Sequence, residues 1–396
     1  MLIIAMLLLS SSQLASQIFF PVLPQIATDL QMSQGLSQMM ITGYFICLGL
    51  SQLVVGPLRD KYGDRQVFLA GQLVFVVGSI CCALATNTEC FALGRLLQGL
   101  GAAAPLLISR TILGAVYRGS QLREALGCLA MVASCVAILA PWFGGVLASW
   151  ADWQFVAWAL SAYLMIVALI GYWLLPTELS SNVAVSLYPH HIFKQYLALL
   201  SAPKFVAIAL FKWTPTFIYM TTQLYFPFVL QQQFALSEAQ FGSVMMLPMA
   251  GLLVGSLLSR KLQRHLNMAW VTGMFWPLLV LSGVCYMFMS FTLLNALFAY
   301  GLVMVMFGGY FAIYIQMLSE HFCEHAGSAN ALIGACELLL FTVLAVACNS
   351  YFIDVPSDMA WITWFMAVLL GWAWLTLFLS KWSWHRFLLD KRARSM

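Results

Sequence analysis

Charge is what this sequence has least of. Only 8% of its 396 residues are Asp, Glu, Lys or Arg, against roughly a quarter in an ordinary soluble domain, and 62% are hydrophobic. That balance excludes a soluble globule. The basic residues are few and scattered over short polar stretches, forming no stripe between aromatics, so nucleic acid is excluded as a partner despite a net charge of +4. The 10 cysteines lie mostly within apolar runs, without a CxxC pair or regular spacing, and indicate neither a zinc site nor a disulfide framework. No cofactor is expected. The opening MLIIAMLLLSSSQLASQIFF lacks a basic leader and an AxA-like cleavage site, and is read as a retained membrane span.

What is present is a succession of apolar stretches divided by short polar or Gly/Pro-containing turns. Twelve spans are predicted, at about 2–24, 36–57, 66–86, 91–115, 124–149, 154–176, 205–229, 240–259, 268–289, 293–318, 328–351 and 360–380. At about 20 residues per crossing they take roughly 240 residues and leave about 150 for loops and helix ends, too few for a large soluble domain. Lys and Arg follow the even-numbered spans: Arg59, Lys61 and Arg65; Arg118 and Arg123; Lys194 and Lys204; Arg260, Lys261 and Arg264; and the tail from Lys381 to Arg394. The intervening loops carry Asp29, Glu89, Asp152, Glu238, Asp354 and Asp358 instead. Basic residues stay on the cytoplasmic side, so both termini are expected there.

The longest polar stretch, 177–204, is read as a cytoplasmic linker between bundles of six spans at 1–176 and 205–380, with a cytoplasmic tail at 381–396. Phe20-Pro21 is echoed by Phe226-Pro227, Ser33 by Ser237 and Gly56 by Gly255, at offsets of 206, 204 and 199 residues. A duplicated six-helix unit is the natural reading, and such two-repeat architecture is typical of secondary transporters. The expected fold class is therefore an all-α membrane protein, twelve transmembrane helices in two pseudo-symmetric bundles.

Four motifs sharpen this. Gly56-Pro57-Leu58-Arg59-Asp60-Lys61-Tyr62-Gly63-Asp64-Arg65 follows span 2, and by composition alone is a charged loop that enforces topology. Its spacing resembles the G-x-x-x-D-x-x-G-x-R signature of the major facilitator superfamily. Arg95-Leu96-Leu97-Gln98-Gly99-Leu100-Gly101-Ala102-Ala103 in span 4 resembles that family's R-x-x-Q-G-x-G-A-A motif. Ala140-Pro141-Trp142-Phe143-Gly144-Gly145 in span 5 is similar to its G-P-x-x-G-G antiporter motif. Phe20-Pro21-Val22-Leu23-Pro24-Gln25-Ile26-Ala27 resembles the L-P-A-L-P-x-I-A stretch of the drug:proton antiporters, especially their Bcr/CflA branch. The specific motifs lie within residues 20–145, while topology and duplication extend the resemblance along the chain. Three departures stand out. Gln17 occupies a slot that is acidic in the Bcr/CflA pattern, Asp64 replaces a basic residue of the loop motif, and Val136 replaces a glycine of the fuller span 5 pattern.

Gly56, Asp60, Gly63 and Arg65, with Pro141, Gly144 and Gly145, are candidate parts of a conformational gate. Asp60 is placed to meet the positive N-terminal end of span 11 near Ser328. Ala133, Ala137, Pro141 and Gly145 recur every four residues, a small-residue face that admits a neighbouring helix closely. Arg95 sits about one turn inside the membrane and shares a face with Gln98, Gly99 and Ala102. It either satisfies carbonyls of a broken neighbouring helix or snorkels outward, or, as the resemblance implies, serves solute binding or proton coupling.

Glu337 is the only carboxylate near the bilayer midplane, about 13 Å into span 11 at 1.5 Å per residue. Lys212 stands at similar depth in span 7, so a proton site at Glu337 and an ion pair with Lys212 are both open. Lys212, Thr216, Tyr219, Gln223 and Phe226 form one stripe of span 7, and Tyr300, Met304, Phe307, Phe311 and Tyr314 a matching stripe of span 10. Helix packing explains such stripes as well as solute binding does. In the resembled fold, helices 1, 4, 7 and 10 line the cavity, and Gln13, Ser16, Gln17 and Phe20 add a polar and aromatic wall. His321-Phe322-Cys323-Glu324-His325 matches an H-x-x-E-H zinc pattern but lies in a short turn without an evident third ligand, and His190-His191 reads as a solvated pair.

The resemblance implies a bacterial inner-membrane carrier working by alternating access: proton-coupled efflux of amphipathic drugs, with Glu337 carrying the proton and Arg95 tuning its charge. Two other functions remain open, a dedicated siderophore or metabolite carrier and a membrane sensor that binds solute without moving it. The partners expected are a small-molecule substrate, protons and the bilayer. Nothing points to an obligate oligomer, and no nucleophile, base and orienting group converge as in an enzyme.

Overall fold

The computed structural model describes residues 1–175, 197–322 and 326–378. Among them every regular element is helical: α1 (Leu2–Gln17), α2 (Leu23–Asp29), α3 (Gln34–Tyr62), α4 (Asp64–Ala83), α5 (Thr88–Val116), α6 (Gly119–Trp150), α7 (Trp153–Leu174), α8 (Pro203–Phe234), α9 (Glu238–Leu262), α10 (Met268–Phe288), α11 (Leu293–His321), α12 (Ala326–Cys336), a π-helical segment Glu337–Phe341, α13 (Thr342–Tyr351) and α14 (Asp358–Phe378). Ten helices among the described residues are long and apolar enough to cross a membrane, which makes this a multi-pass membrane protein. Two expected spans fall outside that number for different reasons. α1 is apolar but only 16 residues long, and α8 carries Lys212, Thr214, Thr216, Thr221, Thr222 and Gln223 through its middle.

Helix starts are written in the loops. Ser33, Asn87, Asn267 and Thr292 each accept a backbone N–H three residues on, from Leu36, Cys90, Trp270 and Asn295. At α9 the Ser237 hydroxyl accepts from the Gln240 N–H while the Gln240 amide oxygen accepts from the Ser237 N–H, a reciprocal capping box. Ser33 and Ser237, related by the 204-residue offset, thus do the same work at the starts of α3 and α9.

Two expected spans are interrupted. The first, at about 2–24, ends as a helix at Gln17 and resumes at Leu23. Pro21 and Pro24, three residues apart, have no N–H to donate, and a proline ring disfavours the helical conformation in the residue before it, so the break falls at Pro21, and Pro24 takes a first-turn position of α2, where a missing N–H is tolerated. The eleventh is helical without a gap in sequence but widens into the π segment at Glu337, where the Thr342 hydroxyl donates to the Glu337 carbonyl at 3.3 Å.

The chain divides into two compact units. One comprises Met1–Leu187, Met220–Met249 and Ala335–Phe352, the other Tyr188–Tyr219, Ala250–Gly334 and Ile353–Met396. Within the first, α4 and α5 pack so closely that a Cβ on Gly78 would lie 2.5 Å from the Gln98 nitrogen, and one on Gly71 at 2.5 Å from the Ala104 Cβ. Phe19, Phe91 and Trp153 make a chain of edge-on ring contacts, and the Trp153 indole donates to Asp29 at 2.9 Å. Within the second, glycines again bring helices together, Gly255 of α9 against the Val305 carbonyl of α11 and Gly308 against that of Leu252. Three indoles tie α10 to α14, Trp276 donating to Ala367, Trp364 to Val280 and Trp374 to Ala269.

The Gly56–Arg65 motif, expected as a loop, is the last turns of α3 and the start of α4 with only Gly63 between them. Asp64 is buried and pairs with Arg59 at 2.7 Å, while Arg65 donates to the Tyr172 carbonyl at 2.7 Å and lies over the Tyr172 ring. Gly63 turns the chain at φ +84° and ψ 161°, a region open almost only to glycine, where a side chain costs about 1–3 kcal/mol. A Cβ on Gly56 would meet nothing within 4 Å. Gly63→Ala is therefore expected to lower the melting temperature in detergent by a few degrees while Gly56→Ala, inside α3, leaves it unchanged or raises it, as thermal unfolding of the two variants will show.

Candidate functional site

The interior polar residues are best followed outward from Arg95. This side chain of α5 is fully buried. Its Nη1 donates to the Ala15 carbonyl at 3.2 Å and to Gln98 Oε1 at 2.8 Å. The guanidinium carbon lies 4.5 Å from the centroid of the Tyr44 ring and 5.1 Å from that of Phe19, within cation–π range of both. Ala15 lies in the last turn of α1, where carbonyls run out of helical partners. Arg95 thus bonds a carbonyl of a broken neighbouring helix, one of the roles its sequence position suggested. Tyr44 is itself fixed, its hydroxyl donating to the Ser12 carbonyl at 2.9 Å and the Ser12 hydroxyl to the Ala102 carbonyl at 2.6 Å.

Two residues beyond Ala15, Gln17 closes α1. Its Oε1 lies 3.5 Å from Gln223 Nε2. These residues are 206 apart, the offset of the Phe-Pro echo, so equivalent positions of the repeat meet each other in the first unit. Neutral amides then continue the contact: Gln38 Nε2 donates to the Leu224 carbonyl at 2.8 Å and Gln231 Nε2 to the Pro21 carbonyl at 2.7 Å. Pro21 belongs to the break between α1 and α2, and its carbonyl is free to accept from outside. Asn349 of α13 donates to the Thr221 carbonyl at 3.1 Å. Phe20 is buried in the same unit, whereas Gln13 is half-buried.

The antiporter-like motif packs alongside. A Cβ on Gly144 would run into the Ile18 carbonyl, and one on Gly145 into the Glu238 carbonyl, 2.9 Å from the Ala239 Cα. Opposite them, a Cβ on Gly242 would lie 2.5 Å from the Pro141 carbonyl. α6 and the first turns of α9 are therefore interlocked backbone to backbone. Without that packing neither chain of atoms could come so near, and only glycine allows it.

In the second unit the paired stripes of α8 and α11 do meet. Lys212 is buried, its Nζ 4.9 Å from the centroid of Phe307 and 5.0 Å from that of Phe311. Tyr219 lies 5.9 Å from Phe307, and Phe311 5.8 Å from Tyr314. Thr216 is buried and Phe311 is exposed. Glu337, half-buried, starts the π segment and belongs to the first unit, while Lys212 belongs to the second. The side chains of Asp60 and Ser328 lie outside those described, as do 323–325 of the histidine-containing turn and His190-His191.

A family model described as Major Facilitator Superfamily matches residues 5–345. The chain belongs to the major facilitator superfamily. Among this facilitator's relatives, an uncharacterized MFS-type transporter of Bacillus subtilis (strain 168), YdgK, is 28% identical over 344 residues, 83% of each chain. Multidrug resistance protein D of Escherichia coli (strain K12) is 29% identical over 154 residues, 39% of each. The solved structure of a bacterial homologue of the human lysosomal transporter Spinster, inward-facing and unoccupied, superposes with a TM-score of 0.76 at 14% identity, covering 94% of this chain and 95% of that one. The all-helical facilitator fold expected from the sequence is thereby established, and with it a transporter.

Several residues of the facilitator's interior escaped sequence reading. Tyr44 and Phe19 flank Arg95, Gln38 and Gln231 bridge helices, and Gly242 answers Gly145. The tyrosine, phenylalanine and glutamines sit in ordinary apolar or polar runs without distinctive spacing. Gly242 had a signal, since it stands four residues after the charged Glu238 at a helix start where no turn needs a glycine.

Proposed function

We propose that this facilitator exports amphipathic small molecules in exchange for protons, as a member of the drug:proton antiporter group and its Bcr/CflA branch. It works by alternating access in a bacterial inner membrane, with both termini cytoplasmic. The observation that carries the exchange reading is the glycine interlock at Pro141–Gly145, a motif resembling that of antiporters and used here for backbone contact with α9. The amphipathic solute class is supported by the apolar and aromatic surroundings of Arg95 and Lys212 and by the similarity to Multidrug resistance protein D over part of the chain.

Glu337 is the proton carrier in this reading. Ionisable residues within membrane spans are costly and serve function by default, and Glu337 sits where the helix ladder is widened, a geometry frequent at functional sites. Gln17 cannot take a proton in that role. In proteoliposomes with an imposed pH gradient and a mixed pool of drugs and metabolites, Glu337→Gln is expected to abolish gradient-driven flux while leaving solute counterflow intact. Unchanged gradient-driven flux removes Glu337 from the coupling. Failure of the unaltered protein to move any solute of the pool removes the exporter reading.

A further inference from the structure

We infer that Arg95 receives the anionic group of the solute, so that the molecules carried are amphipaths bearing a planar oxyanion, a carboxylate above all. This rests on the carrier reading and specifies its substrate class. Only part of the guanidinium is used within the protein. The rings of Tyr44 and Phe19 lie within cation–π range of it, and Nη1 is taken by Ala15 and Gln98. Nε and Nη2 are buried and have no hydrogen-bond partner among the described residues. These two nitrogens form one edge of the fork, the edge that binds a carboxylate through two parallel hydrogen bonds.

Gln98, bonded to Nη1, carries another donor of the same kind. Gln98 is fully buried, its Oε1 turned to Arg95, and its Nε2 has no partner among the described residues. Arg95 and Gln98 thus present three buried N–H-bearing nitrogens in need of an acceptor. No acidic side chain pairs with Arg95 among the described residues. A buried cation lacking an anionic partner is costly, and a buried donor without an acceptor adds to that cost. A carboxylate on the solute meets both demands at once.

The surroundings select what is attached to that carboxylate. Phe19 is held by Phe91, itself against Trp153, and Tyr44 by the Ser12 carbonyl. The rings are therefore set in place before binding and offer a preorganised aromatic frame. Tyr44 already donates its hydroxyl proton to Ser12, so recognition of the anion falls to nitrogen donors. A cationic amphipath of the same shape would bring a second positive charge to a buried one.

Three probes with one ring system separate the possibilities: indole-3-acetate, its neutral amide indole-3-acetamide, and the cation tryptamine. Titration calorimetry on the purified full chain in a zwitterionic detergent is expected to show indole-3-acetate binding at least 10-fold more tightly than either. Arg95→Lys keeps the charge but not the fork and is expected to lose most of that preference. Its melting temperature reports whether it folds, and the comparison of three probes on the unaltered protein stands without it. Amide or amine binding as tightly as the acid overturns the anion assignment, and counterflow of that probe would leave the carrier reading standing. Tight binding of the acid without counterflow in phosphatidylcholine liposomes keeps the anion site and removes the carrier reading for it. No binding of any probe overturns the assignment.

Discussion

Gly145→Ala and Gly242→Ala are each expected to cut solute flux in proteoliposomes by about 10- to 100-fold. The added methyl of the first would overlap the Glu238 carbonyl, and that of the second would lie 2.5 Å from the Pro141 carbonyl. Both obstacles are backbone, so no rotamer change relieves them and the helices themselves must separate. Overpacking of this kind costs about 1–3 kcal/mol, and 1.4 kcal/mol is about tenfold in an equilibrium. The cost falls on the arrangement in which α6 and α9 interlock, so a carrier that must pass through it loses that fraction of its cycle. Gln223→Cys supplies a second readout. Gln223 is buried, and a cysteine there is expected to be shielded from maleimide with Gly145 and Gly242 intact but labelled when either is alanine. Flux above half of the unaltered rate with unchanged labelling refutes the role of the interlock.

Deleting Leu340 alone is expected to leave a folded protein that no longer transports, with flux lower by at least about tenfold. A π turn is an α-helix with one residue inserted, closing i to i+5 in place of i to i+4. Removing one residue of Glu337–Phe341 restores the regular ladder without displacing what lies on either side. Leu340 is exposed, so the deletion takes no packed side chain with it. Thr342, Ala345, Val346 and Asn349, the buried stripe of α13, keep their places and Asn349 its bond to Thr221. What is lost is the widened turn that begins at Glu337, a geometry frequent at functional sites. Deleting Ala347 from the regular ladder is the contrasting variant. It rotates Asn349 off its partner by about 100° and is expected to lower the melting temperature as well as the flux. Transport by the Leu340 deletion at the unaltered rate shows that the π segment has no part in the cycle.

How much of this was legible beforehand differs from residue to residue. Hydropathy places nearly every helix within a few residues of where it lies, because a membrane demands long apolar runs with their backbone bonds satisfied internally. The capping residues at Ser33 and Ser237 are equally plain, since they act on neighbours three residues away. The motif glycines at 144 and 145 announce a close approach but not to what. Glu337 and Arg95 stand out because charge within a span is rare, yet neither the π turn nor the aromatic pair around Arg95 has a local signature. A π turn arises from competition between packing on two sides of a helix, and Tyr44 and Phe19 are two apolar residues among many.

By itself the sequence determined that the chain lives in a membrane, that it is helical, where the helices begin, and which few charges must be explained. Those properties follow from short-range chemistry: transfer of side chains into hydrocarbon, missing N–H groups at prolines, and hydroxyls capping helix ends. Only the tertiary structure decided that Gln17 meets Gln223, that Gly145 faces α9, and that Nε and Nη2 of Arg95, close to two rings, have no hydrogen-bond partner among the described residues. Each joins residues of different helices, and partner choice there depends on packing that no stretch of sequence contains. The scarcity of charge that marked the chain as a membrane protein also makes Arg95, which has no acidic partner among the described residues, conspicuous, and with it the class of molecule expected to pair with it.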